Sequence, residues 1–306
     1  MKKLKLLLAI CFGLFLSCSS DGTSTSNNPT QKRLTKVIYN REDGSLFTQN
    51  IVYNAEGLIV ELNDNATGNV TEKFVYNASN QLMQDELYSY DPETNTLAEK
   101  IICYYTYNTE GKIATVSEEV TETGFTTFSK NYEVTYGTNT ITRTLLQDLN
   151  SETVLFGLNL EGKISSIKVT NNGVLDYDLT FVYDAEGNCI SGSGPINGGS
   201  LDTTTDNINL SVVYDEDHIK NTVLNSNNRF YNNLLSSQAN FDNFREILVK
   251  NQGNKYSTQL QWYQYEDYTY KETYNYTFDS DNYPLSYVLS ELPNYPNYFT
   301  VQLIWE

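Results

Sequence analysis

One short phrase recurs along the chain and constrains its fold more than any other feature. It consists of an aromatic residue, Asn or Asp, two or three mostly polar residues usually ending in Gly, one further residue, and Ile or Leu. The clearest copies cover residues 53–59, 107–113 and 183–190. Looser copies begin at Tyr39, Tyr76, Leu158, Tyr214 and Phe278. A recurrence of this kind predicts an array of similar units, each packed on its neighbours.

The phrase has the properties of a β-hairpin. Asn or Asp opens a turn by bonding its own backbone, and Gly takes the positive-φ position of a three- to five-residue loop. Between copies, polar and apolar residues alternate as in strands, for example in 163–169. We therefore expect an all-β fold in one domain over 34–306. This is a large antiparallel sheet, open, curved or barrel-like, with roughly eight hairpins and roughly sixteen strands.

One stretch, residues 221–253, interrupts the pattern. It is Asn-rich and loses the alternation, while Phe241, Phe244 and Leu248 recur at helical spacing. We expect either one short helix or an irregular insertion there.

The N-terminus is typical of export. Three lysines precede an apolar run over residues 6–16. The run is shorter than the ~20 residues of a membrane-spanning helix and fits a secretory signal. No later run is long enough to span.

The sequence Phe-Leu-Ser-Cys at 15–18 resembles a lipobox, whose cysteine is acylated after cleavage. We expect a signal peptide over 1–17, a lipid on Cys18 and a flexible tether over 18–33. The protein would then be a cell-envelope lipoprotein anchored to the outer membrane, with the membrane as partner through its lipid. The alternative is an ordinary signal peptide in which Cys18 is incidental.

Charge and cysteine usage exclude several classes. Removing residues 1–17 removes three lysines, leaving 17 basic and 38 acidic residues, a net charge of 17 − 38 = −21. That charge repels nucleic acid, which we do not expect as a partner. Cys103 and Cys189 lie 86 positions apart (189 − 103) without zinc-type spacing, which favours two free thiols. A disulfide between them is the alternative that export permits.

No motif selects a chemistry. The single histidine, His218, follows Asp-Glu-Asp in a copy of the turn phrase, which favours a charged turn over a metal ligand or base. Nucleophile-elbow, zinc-protease and phosphate-loop motifs are absent. We expect no enzyme, no metal and no cofactor. A carboxylate-dependent glycoside hydrolase is the remaining catalytic alternative, because acidic pairs are numerous.

Two resemblances follow from these motifs. The phrase resembles the tyrosine-aspartate (YD) repeats of shell-forming bacterial proteins. The lipobox, the turn phrase, the Asn-rich 225–233 and the closing 276–284 together resemble uncharacterised exported lipoproteins of Bacteroides-like bacteria. That resemblance implies a porin-like antiparallel β fold and no catalytic residue. The closing phrase departs from the family by having Asn282 in place of Gly. A pore is not expected, because the strands place too many polar residues on both faces for a lipid-facing apolar band.

The most aromatic stretch follows the interruption. Trp262, Tyr268 and Tyr270 would share one face of a single strand, although a turn near 266–267 would split them. We expect these three as candidate ligand-binding residues, since aromatic rings offer stacking platforms for sugars. Packing within the sheet is the alternative role. The function is thus either binding of a glycan or other envelope ligand, or a structural or protein-interaction scaffold at the cell surface.

Overall fold

The computed structural model describes residues 32–41, 44–91, 93–123, 128–146, 151–197, 205–219, 235, 255–264, 269–292 and 295–306. At the strand ends 205–207, 218–219, 262–264, 269–270, 291–292 and 295–298 it describes the backbone alone. The signal peptide, Cys18 and the tether up to residue 31 lie outside this range. So does the predicted helix or insertion, apart from Leu235. Within the described residues, no helix is long and apolar enough to cross a membrane.

Eighteen strands form one antiparallel sheet that closes into a barrel. Every strand pairs with its neighbours in sequence, and the last pairs with the first. The strands are β1 Leu34–Arg41, β2 Leu46–Tyr53, β3 Ile59–Asp64, β4 Val70–Tyr76, β5 Leu82–Tyr90, β6 Leu97–Tyr107, β7 Ile113–Glu122, β8 Phe128–Gly137, β9 Thr140–Leu145, β10 Glu152–Leu158, β11 Ile164–Asn171, β12 Val174–Tyr183, β13 Cys189–Asn197, β14 Thr205–Ile219, β15 Lys255–Gln264, β16 Thr269–Phe278, β17 Pro284–Leu292 and β18 Tyr295–Trp305. The predicted hairpin sheet is confirmed, and its closure leaves no strand edge open.

The two ends of the described chain close the barrel. Arg33 N donates to Glu306 O at 2.6 Å, and Glu306 N donates to Arg33 O at 2.8 Å. Beside this seam, Lys32 Nζ lies 2.7 Å from a carboxylate oxygen of both Asp279 and Asp281. These contacts join the start of the first strand to the last turn at the repeat rim and to the last residue.

The barrel has two different rims. We call the rim that carries the turns after the even-numbered strands the repeat rim, because six of the eight copies of the phrase form turns there, while the copy at Tyr214 lies within β14. The copy at Tyr39 lies at the opposite rim, between β1 and β2. The expected number of strands was two too low. One reason is the β8–β9 hairpin, which turns through Asn139 at a φ of 58° without the phrase.

The repeat rim also has a regular backbone distortion. Next to the phrase, the register shifts by one residue, as where Val52 pairs with Glu61 but Tyr53 pairs with Ile59. Equivalent shifts occur in the hairpins β4–β5, β6–β7, β10–β11, β12–β13, β14–β15 and β16–β17, and another occurs where β1 pairs with β18 at the closing seam. Such bulges increase the local twist of a sheet, and sheets close into barrels only when they are twisted and coiled. The phrase thus adds curvature at the same level around the ring.

The inner face of the barrel is buried and mostly apolar. It includes Val154, Phe156, Ile167 and Leu260, all 0% exposed. In the described even-numbered strands, the two inward-facing residues nearest the repeat rim, which form the first and second inner layers, are aliphatic or aromatic. The charged inward-facing residues of these strands lie farther from that rim. The inner charged residues farther from the rim include Glu72, Glu118, Lys130, Glu152 and Glu272, whereas Arg143 on β9 is level with Val134 in the second layer of β8.

The outer face is polar. On β7, for example, the outer positions are Thr115, Ser117, Glu119 and Thr121. Exposed aliphatic residues such as Val52 are scattered, which is normal for a surface in water. A membrane-spanning barrel has the reverse arrangement, with a continuous apolar band outside and a polar interior. The described outer surface therefore suits water rather than lipid tails.

Candidate functional site

The recurrent residues at the repeat rim are used by the fold itself. Asn108 Oδ1 accepts hydrogen bonds from the backbone N–H groups of Glu110 and Lys112, both at 3.0 Å, and Gly111 has a φ of 75°. The same arrangement recurs at Asn77, Asn159, Asp184 and Asp279. The prediction of side-chain-capped turns with a positive-φ residue is confirmed.

In five copies of the phrase, the aromatic residue is a tyrosine whose hydroxyl donates to the backbone carbonyl at the start of the preceding odd-numbered strand. Trp305, which belongs to no copy of the phrase, makes the same bond from the end of β18 through its ring N–H. We call this series the tyrosine ladder. Its bonds are Tyr53 to Leu34 at 2.8 Å, Tyr76 to Ile59 at 2.9 Å, Tyr107 to Leu82 at 2.7 Å, Tyr183 to Ile164 at 2.6 Å, Tyr214 to Cys189 at 2.8 Å and Trp305 to Pro284 at 2.7 Å. These tyrosines are therefore structural.

The interior contains a buried arginine that joins distant parts of the chain. Arg143 is 0% exposed, and its Nη1 donates to the backbone carbonyl of Leu235 at 2.8 Å. Its Nη2 donates to Glu152 at 2.7 Å, and its guanidinium lies 4.7 Å from the centre of the Tyr132 ring. Leu235 belongs to the segment between β14 and β15 and is itself 0% exposed. Arg143 thus connects Leu235 to the inner side chains of β8 and β10.

Both described cysteines are free and buried, which confirms the expected free thiols. Burial raises the pKa of Cys103, and the nearby carboxylates of Asp85 and Glu118 raise it further. Burial also raises the pKa of Cys189, to about 12. Thiols held in this protonated, inaccessible state are poor nucleophiles, so neither cysteine is a candidate catalytic residue.

The outer face has one aromatic cluster. Cys103 and Tyr105 are buried on the inner face, so Tyr104 between them faces outward on β6. Tyr88 and Tyr90 lie on the outer face of the adjacent β5. Among strand residues whose side chains the structure describes, no other aromatic residue has an outward register. We call this cluster the β5–β6 tyrosine patch. It comprises Tyr88, Tyr90 and Tyr104 with the outward polar residues between and beside them, which are Lys73, Gln84, Glu86, Lys100 and Glu119.

A carboxylate organises the patch. Glu86 is only 7% exposed although it lies on the outer face. It accepts hydrogen bonds from Lys100 Nζ and Gln84 Nε2, both at 2.7 Å, and from the Tyr88 hydroxyl. Burial alone would raise the pKa of Glu86, but the bonds from Lys100 and Tyr88 lower it below its ordinary value. Glu86 is thus held as an anion with its neighbours in fixed positions.

The cations and rings around Glu86 are also ordered. Lys100 Nζ lies 5.1 Å from the centre of the Tyr88 ring, and its bond to Glu86 raises its pKa. On the other side, burial raises the pKa of Tyr104, as does the adjacent Glu119. Lys73 on β4 pairs directly with Glu86 in the strand register. The patch therefore combines partly exposed rings with two cationic and two anionic side chains.

The residues predicted from the sequence lie elsewhere. Trp262 and Tyr270 are direct partners on β15 and β16, in register positions that continue those of the buried Leu260 and Glu272. Tyr268 lies outside the described residues, in the connection that splits the predicted stripe. His218 belongs to β14 by its backbone. A ligand-binding role for Trp262, Tyr268 and Tyr270 stays a prediction.

Sequence reasoning did not find the patch. Tyr104 and Tyr105 are adjacent and chemically identical, and only the sheet register assigns one to each face. The available signal was the alternation of Glu86, Tyr88 and Tyr90, which is one polar and aromatic stripe. Over the described residues, no group of three or more His, Cys, Asp or Glu side chains is arranged to hold a metal ion.

No protein-family model matches the chain, and no curated protein matches it either. Among solved structures, it is similar to a porin-like protein from Bacteroides vulgatus, at 12% identity and a TM-score of 0.44, over 90% of this chain and 99% of that one. A porin-like protein from Bacteroides uniformis is 19% identical, with a TM-score of 0.35 over 73% of this chain and 96% of that one. The Photorhabdus luminescens Tc holotoxin pore is 10% identical, with a TM-score of 0.22 over 86% of this chain and 18% of that one.

Proposed function

We propose that this protein is a non-enzymatic lipoprotein of the cell envelope that binds a glycan on the outside of its barrel. The lipid on Cys18 would hold it at the outer membrane, and the tether up to residue 31 would separate the barrel from the bilayer, since Lys32 and Arg33 are bonded to the barrel. The ligand would be bound at the surface and would not pass through a lumen.

The distribution of polar and apolar side chains carries this proposal. A channel needs a polar interior and an apolar exterior, whereas here the inner side chains are buried and the outer ones are mostly Thr, Ser, Asn, Gln, Lys and Glu. Inside, Arg143 and Leu235 are in contact and fully buried. A ligand therefore has the outer face and the rims available to it.

Glycan binding is favoured over other ligands by the aromatic content of that outer face. Tyrosine presents an apolar ring for the C–H face of a sugar and a hydroxyl for hydrogen bonding. The strongly acidic chain repels polyanions such as nucleic acid. A hydroxyl-rich ligand without large charge fits both properties.

The test uses the mature chain from residue 18, with Cys18→Ser so that no lipid is attached. It is screened against oligosaccharides immobilised on an array, and the intact lipoprotein is reconstituted into planar bilayers. We expect saturable binding to at least one glycan and no channel conductance. Conductance that depends on the protein, or an array on which nothing binds, would overturn the proposal.

The alternative is a scaffold that binds other envelope proteins. It predicts that an envelope protein co-purifies with the chain while the glycan array is empty. The glycoside hydrolase alternative predicts release of reducing sugar by the purified chain, and it requires a carboxyl group that donates a proton. Burial raises the pKa of Asp176, with a further contribution from Glu152, so Asp176→Asn is the variant that tests that alternative.

A further inference from the structure

The β5–β6 tyrosine patch differs from the rest of the outer face in a way that the fold does not require. The other strands with described outer side chains present hydroxyls, amides, charges and scattered aliphatic residues on that face. β5 and β6 instead place three tyrosines there. Outward aromatic rings do not contribute to the barrel core, and partly exposed tyrosines concentrated on one surface are typical of binding sites.

The side chains of the patch are ordered before any ligand arrives. Glu86 is bonded to Lys100, Gln84 and Tyr88, and the Tyr90 hydroxyl donates to the backbone carbonyl of Val70 at 3.1 Å. A surface that is already fixed loses little conformational entropy on binding, which favours affinity. This order extends across β4, β5 and β6.

The charges of the patch indicate the kind of ligand. Lys73 and Lys100 are balanced by Glu86 and Glu119, and Glu61, which pairs with Lys73 on β3, adds one further carboxylate, so the local net charge is small. An anionic glycan would meet the carboxylates, and a cationic peptide would meet the two ammonium groups. An uncharged ligand with many hydroxyls can bond both types without leaving either charge unmatched.

The spacing of the rings indicates its size. Lys100 pairs with Tyr88, and Tyr104 lies four residues further along β6. Four residues of strand correspond to about 13 Å, so Tyr88 and Tyr104 are too far apart to stack on a single sugar ring. A chain lying along the strands can contact both.

We propose that the β5–β6 tyrosine patch binds an uncharged oligosaccharide or polysaccharide chain, stacked on Tyr88 and Tyr104 and hydrogen-bonded to Lys100, Gln84 and Glu119. The proposal rests on the proposed function, because it names the site and the ligand class of the same glycan-binding activity.

The test measures binding of cellohexaose, xylohexaose, maltohexaose and mannohexaose, and of hexagalacturonic acid as the charged probe. Isothermal titration with the Cys18→Ser mature chain is the measurement. We expect at least one neutral hexasaccharide to bind, and its monosaccharide to bind at least tenfold more weakly. Tyr88→Ala and Tyr104→Ala should each weaken binding about tenfold, and the double variant about a hundredfold. Tyr104→Phe, which keeps the ring, should retain most of the affinity.

Leu155→Ala is the matched control, because Leu155 is also an outer-face residue, 37% exposed, on the distant β10. It should bind as the parent does. All variants are checked by thermal melting, so that loss of binding is compared only between folded proteins.

The outcomes separate this inference from the proposed function. If no sugar binds to the parent chain, here or on the array, the proposed function fails and this inference with it. If a neutral hexasaccharide binds but Tyr88→Ala and Tyr104→Ala have no effect, only the site is wrong, and Trp262→Ala then tests the stripe predicted from the sequence. Tighter binding of hexagalacturonic acid overturns the neutral ligand class, and a bound envelope protein without any sugar favours the scaffold.

Discussion

The two halves of the barrel are built in different ways. At the repeat rim, the same turn and the same bulge recur in most hairpins and the tyrosine bond recurs in five of them. The two inward-facing residues nearest this rim on the described even-numbered strands are uncharged. At the opposite rim, the turns that the structure describes are of more than one kind. Asp91 caps one turn through three hydrogen bonds, whereas Asn172 and Gly173 form another with positive φ at both residues.

This difference shows which part of the sequence is constrained by the fold. Most of the repetition lies at the rim where neighbouring hairpins bond to one another, as Tyr107 bonds to Leu82. Elsewhere, in the interior and on the outer face, individual residues such as Arg143 or Tyr88 have roles that occur once. Residues that carry a function are therefore to be sought outside the repeated positions, for example on the outer face.

The largest expected effect is at a residue whose role occurs once. Arg143→Met should lower the free energy of unfolding by about 3 kcal/mol, because it leaves Glu152 without its partner and removes the bond to Leu235. Urea unfolding followed by tyrosine and tryptophan fluorescence measures this loss.

The double variant Arg143→Met with Glu152→Leu is the control, since replacing both partners with apolar residues removes the unpaired charge. It should recover most of the lost stability. If the single variant loses less than about 1 kcal/mol, the buried contacts of Arg143 contribute no more to stability than an ordinary surface residue.

The next effect tests the repeat rim. Asp184 accepts hydrogen bonds from the backbone N–H groups of Glu186 and Asn188 and from the Asn188 side chain, and Asn188 is 0% exposed. Asp184→Ala should therefore cost about 2 kcal/mol in urea unfolding. Asp91→Ala, at the exposed turn of the opposite rim, should cost less than about 1 kcal/mol. Equal losses would remove the distinction between the rims.

This effect should depend on pH. Burial acts to raise the pKa of Asp184, but hydrogen bonds from Asn188, Glu186 and Gly187 outweigh it and lower the pKa. A carboxyl group whose pKa is lower in the folded state stabilises the fold above its unfolded pKa of about 3.9, and loses this contribution as pH falls through the folded value. The difference between parent and Asp184→Ala should be complete at neutral pH and shrink below about pH 4. A constant difference down to pH 2 would contradict this cause.

A smaller effect tests the tyrosine ladder. Tyr183→Phe and Tyr107→Phe each remove one bond to a backbone carbonyl, at 2.6 Å and 2.7 Å, and each should cost about 1 kcal/mol. Because the two bonds lie on separate hairpins, the losses should add in the double variant. Melting curves of the three variants measure this. Losses that fail to add would show that the ladder acts as one coupled ring.

The smallest effect is expected on the outer face. Lys168 and Asp178 form an ion pair at 3.3 Å with both side chains more than a third exposed. Lys168→Ala should change the unfolding free energy by less than about 0.5 kcal/mol, because water and salt screen such a pair. A loss above 1 kcal/mol would show that the outer face also supports the barrel.

The sequence by itself determined the local structure of the repeat rim. Turn capping by Asn or Asp, positive φ at Gly and the strands on either side follow from hydrogen bonds within about five residues, so one copy of the phrase contains all the information. The phrase at Tyr39 shows the limit of this reasoning. It forms a turn as predicted, but at the opposite rim, because rim assignment depends on the number of preceding strands.

Three features were decided by the tertiary structure alone. They are the closure of the barrel, the contacts of Arg143 in its interior and the outward aromatic cluster. Closure depends on the tilt and stagger of all eighteen strands together, which no single hairpin contains. The contact between Arg143 and Leu235 joins residues 92 positions apart. Whether Tyr104 or Tyr105 faces outward depends on register, since a shift of one residue exchanges the two faces of a strand. The candidate site therefore became visible only once bulges and register had assigned each tyrosine to a face.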